Sequence, residues 1–383
     1  MKLRSAFISA CCLAWLTVFA ATDEAGWKAR PGPWGDLEVR TVYLEAPDAL
    51  LAAVAKPNSV TRWVFEQMSE SGVRDLLQKH GVPAPMIARL FDPASFSASE
   101  NVVKLYPTVE ELASLPMGVR SSLYADLAKS PANEYQRDPV FILGGDLDNW
   151  LADSGLSDRQ LSLFRRLLWK RGDVLVFSDI QALLTLASGP EETRDTFRAL
   201  TRVRSLIVEL KLPLRVDRAI FLDYWSTGGA DASQFTFLRA LLRRRADQSI
   251  DITHLFPALP RQRIFTFPEL ELGLKGRLPD CHWTSLNFAA ATPNDEFLDT
   301  AKAAARLVGS YRAVESPYRF GDVLCFLEDG EGLHTCVFIA DDIVFTKNGE
   351  SLMAPWVLMQ LKDVESIYRR SSATRIQGYR LKR

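Results

Sequence analysis

The sequence predicts an α+β protein in which a mostly helical N-terminal region precedes a C-terminal domain of helices packed on an antiparallel sheet. Capping boxes, in which Ser or Thr is followed three residues later by Glu or Gln, open helical stretches at Thr108, Ser157 and Ser178. A proline-punctuated segment, residues 256–268, indicates a domain junction. Short apolar strands joined by tight turns follow it, which is typical of an antiparallel meander.

The predicted N-terminal domain, residues 36–260, is α+β and mostly helical. Its sequence contains no metal-ligand cluster and no phosphate-binding loop, so it does not indicate a role for this domain. The predicted strands are residues 37–44, 173–177 and 205–212, and two of the predicted helices are residues 73–79, ending before Gly81, and 217–225, ending at Gly228-Gly229.

The first 21 residues resemble a secretory signal peptide. Lys2 and Arg4 precede an uncharged apolar run that is too short to span a bilayer, and cleavage is expected after Ala20 or Ala21. Residues 22–35 then form a lead-in linker rich in Pro and Gly, and no later segment has the pattern of a transmembrane helix. We therefore expect an exported protein, periplasmic or secreted, with no membrane span after cleavage. A lipid anchor on Cys11 is the alternative, because residues 8–11 loosely resemble a lipobox.

Charge and cysteine content exclude several classes of function. The formal net charge is −1, which gives no field for binding nucleic acid or an anionic membrane. Of the five cysteines, Cys11 and Cys12 leave with the signal peptide, so three remain. Three thiols are too few for a disulfide scaffold or a four-cysteine zinc site. We expect no cofactor and no metal.

The C-terminal domain, residues 261–383, has a different pattern of elements from the region before it. A Pro-Asp pair leads into its first helix, and short polar turns separate its strands. The predicted helices are residues 281–291 and 295–309, and the predicted strands are residues 322–327, 334–340 and 343–348.

Cys281 is the candidate nucleophile. It lies at the first turn of a predicted helix, where free backbone N–H groups stabilise a thiolate, and Asp280 is a good N-cap residue. His334 begins a strand and can face that helix as the general base. His282 is a rival base, but adjacent helix positions diverge by about 100°, so it is expected to point away from the thiol. The alternative is a buried, inert cysteine and a solvent-facing histidine.

These residues together resemble the NlpC-type cysteine peptidases, papain-like enzymes that cut bacterial cell-wall peptides. Asp280-Cys281 matches the start of the family's Asp-Cys-Ser-Gly motif, residues 321–326 its Gly-Asp-apolar strand, and residues 334–340 its histidine strand. The resemblance covers residues 279–349 and implies a papain-like fold for the C-terminal domain. Residues 172–177 nearly repeat the Gly-Asp-apolar strand without a histidine strand after it, so that strand alone has little weight.

The sequence departs from the family pattern beside the thiol and at the third catalytic position. His282 and Trp283 replace Ser-Gly, which indicates a different pocket, and with Asp280 they are the predicted substrate-binding residues. The group that orients His334 is Thr346 by alignment or Asn348 by chemistry. Both lie on one strand face, and Lys347 points to the other.

Cys325 and Cys336 lie symmetrically about a turn near Gly330. A regular hairpin places them opposite each other, at a Cα separation of about 4.5–5.5 Å that permits a disulfide. The alternative is that they are two small apolar side chains on a packed face.

The predicted function is that of an extracytoplasmic cysteine hydrolase. Cys281 attacks an amide carbonyl, His334 acts as base and then acid, and water releases the acyl-enzyme. The expected partner is peptidoglycan or another envelope peptide or amide. The alternatives are a non-catalytic envelope binding or structural module on the same scaffold, and an acyltransferase that uses the same pair.

Overall fold

The structure, a computed structural model, describes residues 26–54, 60–99, 101–144, 147–152, 154–226, 232–245, 247–369 and 371–382. The predicted signal peptide and the helix stop at Gly228-Gly229 lie outside the described residues. The fold is α+β, as predicted, with many helices and several antiparallel sheets. Within the part of the chain that the structure describes, no helix is long and apolar enough to cross a membrane.

The strands of the described chain form four sheets, and all neighbouring strands in them are antiparallel. In spatial order they are β1 (Trp27–Lys28), β2 (Leu37–Leu44), β9 (Val203–Leu212) and β10 (Gln248–Asp251); β3 (Trp63–Glu66), β5 (Val102–Leu105) and β4 (Phe96–Ser99); β6 (Val140–Ile142), β8 (Val174–Phe177) and β7 (Trp169–Arg171); and β11 (Tyr311–Val314), β16 (Arg375–Leu381), β12 (Val323–Glu328), β13 (Glu331–Ala340), β14 (Ile343–Lys347) and β15 (Trp356–Gln360).

Helices connect and cover these sheets. They are α1 (Asp48–Val54), α2 (Glu70–Lys79), α3 (Ala84–Leu90), α4 (Val109–Ser114), α5 (Met117–Leu127), α6 (Glu134–Arg137), α7 (Leu147–Leu151), α8 (Asp158–Leu167), α9 (Ile180–Leu184), α10 (Pro190–Leu200), α11 (Arg218–Ser226), α12 (Ala232–Leu241), α13 (Ala258–Arg263), α14 (Leu270–Leu274), α15 (Cys281–Leu286), α16 (Thr300–Ser310) and α17 (Leu361–Tyr368). Two 3₁₀ turns, Ile252–Leu255 and Asp295–Leu298, lie among them.

Two of the predicted capping boxes and one predicted helix end are confirmed. Thr108 and Ser157 each form both hydrogen bonds of a capping box, at the starts of α4 and α8. α2 ends before Gly81, whose φ of +83° is the left-handed conformation that glycine adopts most readily. The helix predicted at residues 295–309 is instead interrupted, because the Asp299 side chain accepts from two backbone N–H groups and starts α16 afresh.

The third predicted capping box, at Ser178, is wrong. The N-cap of α9 is Asp179, and its side chain makes no cap hydrogen bond. The Asp179 carboxylate instead accepts the Tyr124 hydroxyl at 2.9 and 3.0 Å in the core. Burial raises the pKa of Asp179 to about 6, although the nearby Arg120 guanidinium and the Tyr124 hydrogen bond oppose the shift. A tertiary contact has therefore displaced a local one.

The core runs across the predicted domain boundary near residue 260. One apolar cluster joins Leu206 and Val208 of β9 with Val337 of β13 and Leu358 of β15. Ser205 reinforces this contact, because its hydroxyl accepts from the Leu358 N–H at 3.2 Å and lies 3.3 Å from the Leu358 carbonyl oxygen. The six-stranded sheet is thus packed against the four-stranded one.

The buried carboxyl of Asp179 makes the stability of the fold depend on pH. Its pKa is higher in the folded protein than the ordinary 3.8, so its contribution is fully present below about pH 4 and is lost as the pH rises through about 6. An asparagine at this position does not titrate. We therefore expect the free energy of unfolding of Asp179→Asn, measured relative to that of the wild type, to rise by up to ~3 kcal/mol between pH 4 and 7. Urea unfolding at a series of pH values measures this. The exposed Asp173→Asn is the matched control, and parallel curves for wild type and Asp179→Asn would contradict the assignment.

Candidate functional site

Cys281 lies where the sequence predicts it, at the first position of α15. The N-cap is Asp280, whose carboxylate accepts from the Trp283 N–H at 2.7 Å. α15 ends at Leu286, earlier than the predicted end at residue 291. The Cys281 side chain is only 6 % exposed, so the thiol is enclosed rather than open to a cleft.

Thr335 of β13 is the residue that meets Cys281. Its hydroxyl donates to the Cys281 carbonyl at 3.0 Å and is also hydrogen-bonded to Nδ1 of His282 at 3.2 Å. Thr335 is itself buried, so its hydroxyl helps to fix α15 to the sheet. Thr335 was not predicted from the sequence, although it follows His334 on an alternating strand.

The surroundings of Cys281 hold it as a neutral thiol. Burial raises its pKa from 9.0 to about 12, and the Asp280 carboxylate adds to the rise. Hydrogen bonds from the Thr335 backbone and hydroxyl act in the opposite direction but do not outweigh burial. The expectation that a helix start would favour the thiolate therefore fails here, because α15 is short and the thiol is desolvated.

His334 lies on the opposite face of the six-stranded sheet from Cys281. It is fully buried, its Nε2 is hydrogen-bonded to the Thr346 hydroxyl at 2.9 Å, and its ring stacks on Tyr368 of α17 with centroids 3.9 Å apart. Burial and, secondarily, the charge of His282 hold its pKa well below the ordinary 6.5. Within the described residues no hydrogen bond joins His334 to Cys281, and the His334 Nδ1 atom has no partner.

Strand alternation explains why the predicted pair is separated. Successive side chains of β13 point to opposite faces. Val337 packs in the same apolar cluster as Trp283 of α15, and it therefore shares the face of Thr335. Cys336 and Phe338 pack in the cluster that includes α17, and they share the face of His334. The strand itself lies between thiol and imidazole.

The two candidates for the third catalytic group, Thr346 and Asn348, have different hydrogen-bond partners. Thr346 is hydrogen-bonded to His334, in the place that alignment predicts. Asn348 instead places its amide nitrogen 3.1 Å from the sulfur of Met359. Lys347 points to the other face, as expected, and its ammonium donates to the carbonyls of Gly349 and Ser351. Burial lowers the Lys347 pKa to about 8, against the nearby charge of Asp280.

The predicted substrate-binding residues form part of the packing beside the thiol. Trp283 is 3 % exposed, lies in the core, and donates from its indole N–H to Asp295 at 3.3 Å. His282 does not point away from the thiol as predicted. A ring nitrogen of His282, the Cys281 sulfur and an Asp280 oxygen all lie within 4.8 Å of one another.

Asp280, Cys281 and His282 are ligand types that zinc accepts. The carboxylate already caps α15, however, and the buried Lys347 places positive charge near Asp280 and Cys281, which disfavours a cation. We assign no metal to this cluster.

The disulfide alternative for Cys325 and Cys336 is wrong, because both are free thiols in the structure. Cys336 pairs with Leu324, and Cys325 pairs with Thr335, so the two sulfurs lie on opposite faces. Two features of the hairpin cause this: its turn is centred between Asp329 and Gly330, because Glu328 faces Glu331, and a β-bulge then leaves Leu333 as one extra residue between the Phe326–His334 and Leu327–Gly332 pairs. The symmetric hairpin assumed from the sequence places the turn one residue later and has no bulge.

Comparison with known proteins finds no match to a family model, a curated protein or a solved structure.

The native protein should react slowly with thiol reagents. At pH 8 a thiol of pKa about 12 is ionised to only ~10⁻⁴, against ~10⁻¹ at the ordinary pKa of 9.0. We expect iodoacetamide to label Cys281 at least about a hundredfold more slowly in the folded protein than in urea. Peptide mapping by mass spectrometry measures the rate at each cysteine. Fast labelling of Cys281 alone in the folded state would show an activated thiol instead.

Proposed function

We propose that residues 261–383 form a non-catalytic binding or structural module of the cell envelope, on a scaffold whose motifs resemble those of a cysteine peptidase. The observation that carries this proposal is the separation of Cys281 and His334 by the sheet. A cysteine hydrolase needs a base within reach of its thiol, and a buried thiol of pKa about 12 has no intrinsic activation to replace that base.

The polar groups around Cys281 and His334 support the same proposal. The Thr335 hydroxyl binds the Cys281 backbone, the Asp280 carboxylate binds the Trp283 backbone, and the Thr346 hydroxyl binds His334. These contacts are internal, and each stabilises the packing of a helix or strand. Trp283 fills the space where the peptidase family has a glycine, which leaves less room for a substrate beside the thiol. The envelope location rests on the signal-like first 21 residues.

A pull-down on purified peptidoglycan tests this proposal. We expect the mature protein to bind and to release no peptide, and the Cys281→Ala variant to bind as well as the wild type. Removal of the sulfur leaves a small cavity, which lowers the free energy of unfolding by on the order of 1 kcal/mol, so the variant should fold. Circular dichroism confirms folding. Peptide release by the wild type that disappears in Cys281→Ala would contradict the proposal.

A cysteine hydrolase remains the second candidate because one observation favours it. The His282 ring nitrogen within 4.8 Å of the Cys281 sulfur offers a different base from the one predicted. In that mechanism His282 takes the thiol proton, Cys281 attacks the amide carbonyl, and the protonated imidazole gives its proton to the leaving amine. Water then hydrolyses the acyl-enzyme. An acceptor other than water would make the same pair an acyltransferase, which product analysis would distinguish.

Two histidine variants separate these candidates. For a non-catalytic module, we expect His282→Ala and His334→Ala to label at Cys281 with an electrophilic peptide probe as slowly as the wild type. For the second candidate, labelling would fall about tenfold or more in His282→Ala and remain unchanged in His334→Ala. Rates measured by mass spectrometry at pH 7 to 9 make the comparison. A loss confined to His334→Ala would overturn both assignments and restore the pair predicted from the sequence.

A further inference from the structure

Exposed arginines cluster at the end of α12, outside residues 261–383. Residues 236–245 contain no acidic residue and four arginines, and all four are exposed: Arg239, Arg243, Arg244 and Arg245. None of the four forms an ion pair with another described residue, and Arg244 donates to the side-chain carbonyl of Gln248. One exposed carboxylate, that of Asp247, follows in the sequence, so the local charge stays positive.

The core holds these arginines on the outer side of α12. Leu238 and Leu241 are 1 % and 5 % exposed and anchor the helix in the apolar cluster that joins the two large sheets. At about 100° per residue, Arg239 and Arg243 lie on the side of the helix opposite these leucines. The N–H groups of Arg243 and Arg244 donate to carbonyls of the preceding turn at 3.1 and 3.0 Å, so the winding continues past Leu241.

An exposed aromatic side chain accompanies the arginines. Phe237 is 37 % exposed, and its ring meets the exposed ring of His254 edge to face, with centroids 6.1 Å apart. Arg244 follows seven residues later, about two helical turns, so Phe237 and Arg244 lie on one side of the helix. Cations near a helix C-terminus complement the helix dipole, which accounts for part of the arginine cluster. The dipole does not account for the phenyl ring.

Local charge decides whether this surface can contact an anionic partner. Charges are screened over about 8 Å at physiological ionic strength, so the net charge of −1 removes long-range attraction but leaves short-range contacts. A guanidinium group binds phosphate oxygens in pairs. A phenyl ring beside such cations gains by entering the acyl-chain boundary of a bilayer. An anionic bilayer therefore uses both kinds of side chain, whereas a soluble phosphate polymer uses the arginines alone.

We propose that the end of α12 is a peripheral contact for an anionic phospholipid surface. The four arginines bind lipid phosphates, and the Phe237 ring enters the layer beneath the headgroups. The contact lies on one face of the bilayer and requires no spanning segment. This proposal does not depend on the role of Cys281 or on the partner of residues 261–383.

Sedimentation with lipid vesicles tests the proposal on the mature chain. We expect binding to phosphatidylcholine vesicles that contain about 30 % phosphatidylglycerol, and at least about tenfold weaker binding to phosphatidylcholine alone. Replacement of Arg243, Arg244 and Arg245 by Gln should lower the affinity for the anionic vesicles at least about tenfold. Replacement of the same three arginines by Lys keeps the charge and should leave the affinity within about threefold of the wild type.

A matched control changes the net charge equally at another place. Arg159, Arg261 and Arg312 are exposed, and their combined replacement by Gln should leave vesicle binding unchanged. Circular dichroism checks that each variant is folded. Equal losses in the two Gln triples would show that net charge alone governs binding, and this would overturn the proposed site. Wild-type binding that is no stronger to anionic than to neutral vesicles would also overturn it.

Phe237→Ala separates a lipid surface from a soluble polyanion. We expect this variant to bind anionic vesicles about threefold more weakly than the wild type, because the ring no longer enters the bilayer. Its binding to inorganic polyphosphate should be unchanged. Thermal unfolding checks that the variant is folded. If the wild type binds polyphosphate as tightly as vesicles, and Phe237→Ala weakens neither, the arginines serve a phosphate polymer and the lipid proposal fails.

Discussion

The register of the β12–β13 hairpin decides which residues of the C-terminal region can meet. Because side chains alternate along a strand, a shift of one residue moves every side chain to the other face. The bulge at Leu333 makes that shift once, between the tight turn and the regular part of the hairpin. As a consequence, Thr335 contacts Cys281, and His334 stacks on Tyr368. The free thiols of Cys325 and Cys336 lie on opposite faces of the sheet.

Burial then sets the chemistry of both residues. A helix start favours a thiolate by a modest amount, whereas removal from water penalises either charged form more strongly. Cys281 accordingly stays protonated and His334 stays neutral. Asp280 contributes to both the order and the inertness of the site, because the carboxylate that caps α15 also raises the pKa of the adjacent thiol. An acidic N-cap residue thus stabilises the helix but lowers the reactivity of the adjacent thiol.

The sequence predicted those parts of the fold that depend on near neighbours. The capping boxes at Thr108 and Ser157, and the strand Leu37–Leu44, require only local hydrogen bonds or alternation. It failed at Ser178, because Asp179 is engaged by Tyr124 from a distant helix. The candidate site failed for a related reason. Alternation predicts that neighbouring residues of β13 face opposite ways, but only the bulge and the packing of α15 and α17 determine which of them meets Cys281.

Among the described residues, a buried polar atom without a hydrogen-bond partner does not by itself indicate a ligand site. His334 and Gln181 each have one buried polar atom without a partner. The Nδ1 atom of His334 is enclosed between the sheet and the Tyr368 ring, where a neutral imidazole can tolerate it and no ligand can enter. Gln181 lies in the wall of a cavity, but its Oε1 atom has almost no accessible surface, so a ligand in that cavity does not reach it. A polar atom without a partner therefore indicates recognition only where a ligand can reach it, and by this criterion neither atom marks a binding site.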